Sequence, residues 1–322
     1  MPIRRIAALL LLLTIAVVAG CGTVDRGSAK ELSSQGNKFA STTATAALAS
    51  QEEFNRYLEG KYLVAALANQ DKPTPQMTAD VERVAKSSAA RKEMLKRLGD
   101  VYSRLGDLAS YDAAGEVESS VNGFTGAVNA FATSVGAKTP PISDITGKIS
   151  SAGAGWLADY AQSQKLKTAS ALIRERLVSA RDLLKREKTL LVSIREEMDE
   201  GSGKAALALW NKGVGFPEPI LREQLGDYGL TYDAKQAAAA VSDPKVSDAF
   251  KTAIKDIVQA RTKRQVEMQG SAMSDTIAGF DDLIAAHVKL EAGEQLSLES
   301  LTTRLAQMRG FVEEIEKAHS QK

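Results

Sequence analysis

Apolar residues recur at alternating steps of four and three through most of this 322-residue chain. Met94, Leu98, Val101, Leu105 and Leu108 hold the spacing, the stripe shifts phase near Gly115, and Val117, Val121, Phe124, Val128, Phe131 and Val135 resume it. Leu166, Ala169, Ile173, Leu177, Ala180, Leu184, Leu191, Ile194 and Met198 follow the same heptad, as do Leu298, Leu301, Leu305, Met308, Val312 and Ile315. Residues three and four apart share one face of an α-helix, whereas a half-buried strand needs alternation at every second residue. The chain is therefore expected to be all-α, an antiparallel bundle of long helices whose apolar seams face one another.

Punctuation in the sequence divides these stripes. Ser28 with Glu31 makes a capping-box pattern, and a helix is predicted from there to about Gln70, where Asp71-Lys72-Pro73-Thr74-Pro75 ends it. A second begins near Met77 and runs through the phase shift to Thr139-Pro140-Pro141; a third spans about Ser143 to Asp199. Two helices of that length meeting at a Pro-Pro turn make a hairpin on the order of 80 to 90 Å long if both are continuous, so the bundle is expected to be elongated. Gly201, Gly203, Gly213, Gly215, Pro217 and Pro219 mark residues 199–244 as an irregular insert. Asp243 before Pro244 starts another long helix, Gly293 stops it, and Ser297 caps the last. Two stacked sub-bundles are the alternative to a single bundle. No internal repeat points to a solenoid.

The first twenty residues differ from the rest. Arg4 and Arg5 precede an apolar run, Ile6 to Val18, interrupted only by Thr14 and too short to span a bilayer. The run ends in Val18-Ala19-Gly20-Cys21, which contains the only cysteine of the chain. This resembles the lipobox of bacterial lipoproteins. The resemblance implies that residues 1–20 are a signal peptide and that Cys21 becomes the mature N-terminus, carrying a diacylglycerol thioether and an N-acyl group such as palmitate. Gly22 stands where the family's inner-membrane retention signal has Asp, which implies the outer membrane, periplasmic side, as the destination. Residues 21–27 are then the acylated N-terminus and a short tether, and residues 28–322 the helical domain.

Composition narrows function by exclusion. Loss of residues 1–20 takes two from the 41 basic side chains and none from the 40 acidic ones, so no clustered positive excess suits nucleic acid. One cysteine makes no internal disulfide, and with two histidines it offers little for a metal site; no cofactor is expected. Gly201-Ser202-Gly203-Lys204 lacks the spacing and hydroxyl of a phosphate loop, and Ser242-Asp243-Pro244-Lys245 reads as a helix cap. The acidic cluster Glu196-Glu197 with Asp199-Glu200 reads as a solvated helix end. His287, flanked by Ile284 and Leu290, reads as a packing histidine.

A non-enzymatic scaffold that binds a protein partner or itself is the function this pattern favours. Two stretches are candidate contact surfaces. Residues 119–137 and 149–158 carry no charge and are rich in small residues, with Val121, Phe124, Val128, Phe131 and Trp156 among them. Packing inside the bundle is the simpler reading; the sharper one is a hairpin over 119–158 that enters a membrane, similar in outline to the α-helical pore-forming toxins. The insert contributes Trp210, Phe216, Tyr228 and Tyr232, which either pack over the bundle or remain exposed as interface anchors.

Overall fold

The computed structural model describes residues 23–68, 74–138, 141–153, 157–213 and 217–320. The chain is all-α: eight helices and no strand occur among the described residues. They are α1 (Arg26–Ala68), α2 (Pro75–Ser110), α3 (Ala114–Ser134), α4 (Ala158–Asn211), α5 (Glu218–Asp227), α6 (Ala234–Ser242), α7 (Pro244–Ala292) and α8 (Glu299–Ser320).

Two compact units divide the chain. Unit 1 takes the described residues up to Ala46, Ala90–Lys185 and those from Asp275 on; unit 2 takes Ala47–Ala89 and Arg186–Ser274. The heptad residues expected to form seams do so in unit 1, where Met94, Leu98, Val101, Leu105, Val117, Val121, Phe124, Phe131, Leu166, Ala169, Ile173, Leu177 and Leu184 have no exposed surface. Glycine sets the closest approaches. A Cβ on Gly36 of α1 would stand 2.5 Å from the Tyr102 ring of α2, and one on Gly279 of α7 would strike the Phe39 ring. Phe39 in turn packs edge-on against Phe280, with ring centroids 5.7 Å apart. In unit 2 the core is thinner: Val64, Val81, Val84, Leu191 and Ile254 are buried, and the Ser87 hydroxyl donates to the buried Glu187 carboxylate at 2.9 Å.

Several boundaries differ from the sequence expectation, each for a local reason. Helix α1 begins at Arg26 rather than at Ser28, because the Asp25 carboxylate, not Ser28, accepts from the N-terminal amides, with the Ser28 N–H at 2.6 Å. That bond holds the Asp25 carboxyl below its usual range. The phase shift near Gly115 is a break, Tyr111–Ala113, between α2 and α3. Helix α4 continues through Gly201, Gly203 and the acidic cluster to Asn211. Two helical glycines cost about 1 kcal/mol each relative to alanine, and the Ala205–Trp210 run of helix formers offsets this, so the insert contracts to α5, α6 and their connections. Pro244 opens α7 as expected, and Gly293 (φ 72°) closes it, with the Glu294 N–H reaching the Lys289 carbonyl at 2.9 Å.

The largest departure lies after α3. Residues 141–153 form no helix; the helix expected from Ser143 starts only at Ala158. Residues 142–150 instead lie along α3 as a strap held by side chains seven and four apart. Asn129 accepts from the Ile142 N–H (2.9 Å) and donates to its carbonyl (3.0 Å), and Asn122 does the same for Ile145 (2.7 and 2.6 Å). Each asparagine amide thus imitates the edge of a neighbouring strand. One turn earlier, the Glu118 carboxylate gathers the amides of Gly147, Ile149 and Ser150 at 2.7 to 2.9 Å. Burial works to raise its carboxyl, and these three amides more than offset that, leaving it below the usual range. From α4, Arg176 donates to the Ser143 carbonyl at 3.2 Å. These side chains satisfy backbone groups of Ile142, Ser143, Ile145, Gly147, Ile149 and Ser150 that a helix would otherwise pair.

Replacing Asn122 with alanine should release the strap. It leaves both backbone groups of buried Ile145 without their partner, a loss of about 1 to 3 kcal/mol. Limited proteolysis with mass mapping should show faster cleavage within 141–153, and unchanged cleavage would contradict this role.

Candidate functional site

Val24, three residues after Cys21, is buried, and its N–H donates to the Ser163 hydroxyl of α4 at 2.8 Å. Asp25 caps α1, and Arg26 pairs with Asp159 of α4 at 2.9 Å. The same end of unit 1 holds the C-terminus of α2. Lys165 of α4 bonds Asp112 at 2.8 Å and lowers its carboxyl, while the Gln162 amide reaches the carbonyls of Leu108 and Tyr111. The tether expected over residues 21–27 is therefore shorter. Val24 to Gly27 belong to the folded unit, because Val24 finds a buried site and the Asp25 carboxylate finds the first amides of α1. Residues 22 and 23 are all that separate Cys21 from buried structure.

A second polar constellation lies inside unit 1. His287 of α7 is fully buried; its Nε2 faces the Tyr102 hydroxyl of α2 at 3.1 Å and its Nδ1 faces the Ser170 hydroxyl of α4 at 2.8 Å. Ser170 also reaches Glu291 at 3.2 Å, and Arg174 holds that carboxylate with two bonds of 3.0 and 3.1 Å. The Glu291 carboxylate accepts from Arg174 and Ser170, and a neutral His287 donates through one ring nitrogen and accepts through the other, so both nitrogens are engaged in either tautomer. Burial, aided by the nearby Arg174 cation, pushes the His287 pKa down to about 3, so the imidazole is neutral at physiological pH. Burial alone drives the Tyr102 hydroxyl above its ordinary value.

This arrangement locks three helices in one register. Ser170, Tyr102 and His287 all have zero exposure, so the hydroxyl and imidazole present no face to a substrate. The partly buried packing histidine expected at position 287 is a fully buried one with both nitrogens engaged. Sequence reasoning missed its partners, and the available signal was weak: Ser170 and Arg174 lie one turn apart beside the Ala169–Ile173 seam.

The candidate contact residues separate into distinct environments. Val121, Phe124, Val128 and Phe131 are core residues of unit 1, at most 1 % exposed, so the surface expected there is a packed face. Its uncharged neighbours serve the strap: Asn122 and Asn129 clasp it, and the described residues 141–153 do not form the second helix expected of a 119–158 hairpin. Trp156 and Phe216 lie outside the described residues. Trp210 is half-buried and packs edge-on against Phe250 of α7, ring centroids 5.4 Å apart, within unit 2. Tyr232 is half-buried under the Arg222 guanidinium, 4.9 Å from the ring centre. Tyr228, in contrast, is 78 % exposed at the end of α5, with exposed Leu230 two residues on.

Between α2 and α3 an open, polar depression of about 350 Å³ is lined by Arg97, Asp100, Ser103, Arg104, Ser119 and Ser120. Both arginines are engaged by acids of their own helix, Glu93 and Asp107 at 2.8 and 2.9 Å. Among the described residues no group of three or more His, Cys, Asp or Glu could hold a metal, and no helix is long and apolar enough to cross a membrane. No family model, curated protein or solved structure matches the chain.

Proposed function

We propose that the chain is an exported lipoprotein, anchored in the outer membrane through acylated Cys21 on the periplasmic side, whose helical domain works as a non-enzymatic scaffold for a protein partner or a second copy of itself. What carries the reading is the sequence Val18-Ala19-Gly20-Cys21 followed, three residues on, by a buried Val24. Several acyl chains at about 0.8 kcal/mol per buried methylene make a lasting anchor. A domain fastened that close to its anchor is suited to holding something at a fixed height from the bilayer. The near-balanced charge gives no pull toward polyanions, which favours contact through shape and apolar groups. The exposed Tyr228 and Leu230 of unit 2 offer apolar surface for such contact.

Changing Cys21 to serine should abolish incorporation of an alkyne fatty acid and shift the protein from the membrane fraction to the soluble fraction or to an unprocessed precursor. Labelling equal to wild type would refute the anchor. For the scaffold limb, mild crosslinking in the envelope should capture a partner or a dimer, with yield reduced by Tyr228→Ala; repeated recovery of monomer alone would count against it.

A further inference from the structure

We infer that the end of unit 1 that carries Val24 rests on the lipid surface itself, with Tyr111 and Leu157 as its contact residues. The inference rests on the anchor reading above and adds the face of the domain that meets the bilayer.

Chain length sets the geometry. From Cys21 to Val24 is three residues, which span about 10 Å even when fully extended. Val24 is not free to extend further, since its side chain is buried and its N–H is bonded to Ser163. Whatever surface holds the acyl chains therefore lies within about 10 Å of this end of unit 1. Two large apolar side chains are exposed here. Tyr111, 55 % exposed, closes α2, and its carbonyl accepts from Gln162 of α4 at 3.2 Å. Leu157, 86 % exposed, immediately precedes α4, two residues before the Asp159 that pairs with Arg26. Both stand beside the mounting point on separate elements, joined by the Gln162 and Lys165 bridges between α4 and the end of α2.

A tyrosine with an apolar ring and a polar tip suits the headgroup boundary, and a leucine gains by leaving water for the acyl region. Charge gives no alternative attraction. The cations that bridge elements here, Arg26 and Lys165, are each paired with a carboxylate, Asp159 and Asp112, and Asp25 adds a further negative charge. Contact is accordingly apolar and independent of anionic lipid.

The test uses the acylated full-length protein carrying one added thiol, at Tyr111→Cys, Leu157→Cys or Ala130→Cys. Cys21 is consumed by its thioether, so the new thiol is the only one. Ala130 is exposed on α3, about 24 Å along that helix from its start at Ala114, and serves as the reference. Each variant is labelled with an environment-sensitive fluorophore and reconstituted into phosphatidylethanolamine and phosphatidylglycerol vesicles containing a nitroxide lipid quencher near the headgroup. Flotation and helical circular dichroism confirm attachment and fold. The expected result is blue-shifted, strongly quenched emission at 111 and 157, neither at 130, and no change in high salt or without phosphatidylglycerol. Flotation with emission at 111 and 157 equal to that at 130 would overturn the inference while leaving the anchor standing. Failure of every variant, and of wild type, to float would overturn the anchor and the inference together.

Discussion

Gly36→Ala is expected to lower the stability of unit 1 by about 3 kcal/mol. The new Cβ would sit 2.5 Å from Cδ1 and Cε1 of Tyr102, far inside van der Waals contact. The ring has nowhere to go. It is fully buried, its hydroxyl is held by His287, and the Ser33 hydroxyl of α1 is bonded to the Tyr102 carbonyl. Relief must come from separating α1 and α2, which opens the core around them. The same substitution at Gly60, farther along α1 with nothing within 4 Å, should instead stabilise by up to about 1 kcal/mol through helix propensity. Urea unfolding midpoints should therefore move in opposite directions for one substitution in one helix. An unchanged midpoint for Gly36→Ala would mean that Tyr102 is not pinned as described.

Acidification should destabilise the protein between pH 6.5 and 5. His287 has a pKa of about 3 when folded against 6.5 as an ordinary side chain, so the unfolded state binds the proton first. The stabilisation is complete above pH 6.5 and is lost progressively as the pH falls toward 3, by about 1.4 kcal/mol per pH unit, or about 2 kcal/mol between pH 6.5 and 5. The charged groups facing the imidazole are Arg174 and Glu291, which pair with each other, and Tyr102 stays protonated throughout. Asp25, Asp112 and Glu118 have lowered carboxyls and add to acid sensitivity only below their unfolded values near 4, outside this window. His287→Gln should flatten the dependence between pH 6.5 and 5, whatever its effect on stability at neutral pH. A wild-type protein whose midpoint is constant over that range would contradict the buried neutral imidazole.

The heptad seams were legible because burial of every third or fourth side chain leaves a direct trace in sequence. Met94 to Leu108, Val117 to Val128 and Leu166 to Leu184 are core residues where their spacing places them. Helix α7 likewise starts at Pro244, where a cap residue and proline coincide. The strap was not legible. Asn122 and Asn129 look like polar residues tolerated in an uncharged helix, and only their bidentate contacts with Ile142 and Ile145 show why neither is charged. The uncharged stretch that resembled a membrane-entering hairpin is thus one helix with its apolar face in the core and its amides on a strap. The polar chain from Tyr102 to Glu291 is hidden for a related reason, since its bonded partners are separated by up to 185 positions and meet only through helix packing. The docking of residues 24–27 onto unit 1 leaves no trace in sequence, because it depends on a single valine and a single aspartate, neither part of any periodic pattern.

The account stands most directly on the chemistry of Cys21. Mass spectrometry of the N-terminal proteolytic peptide, taken from full-length protein expressed with its leader and extracted from membranes, should find a chain beginning at Cys21 with the mass of a diacylglycerol thioether and an N-linked acyl group. A peptide beginning elsewhere, or beginning at Cys21 with an unmodified thiol, would contradict it.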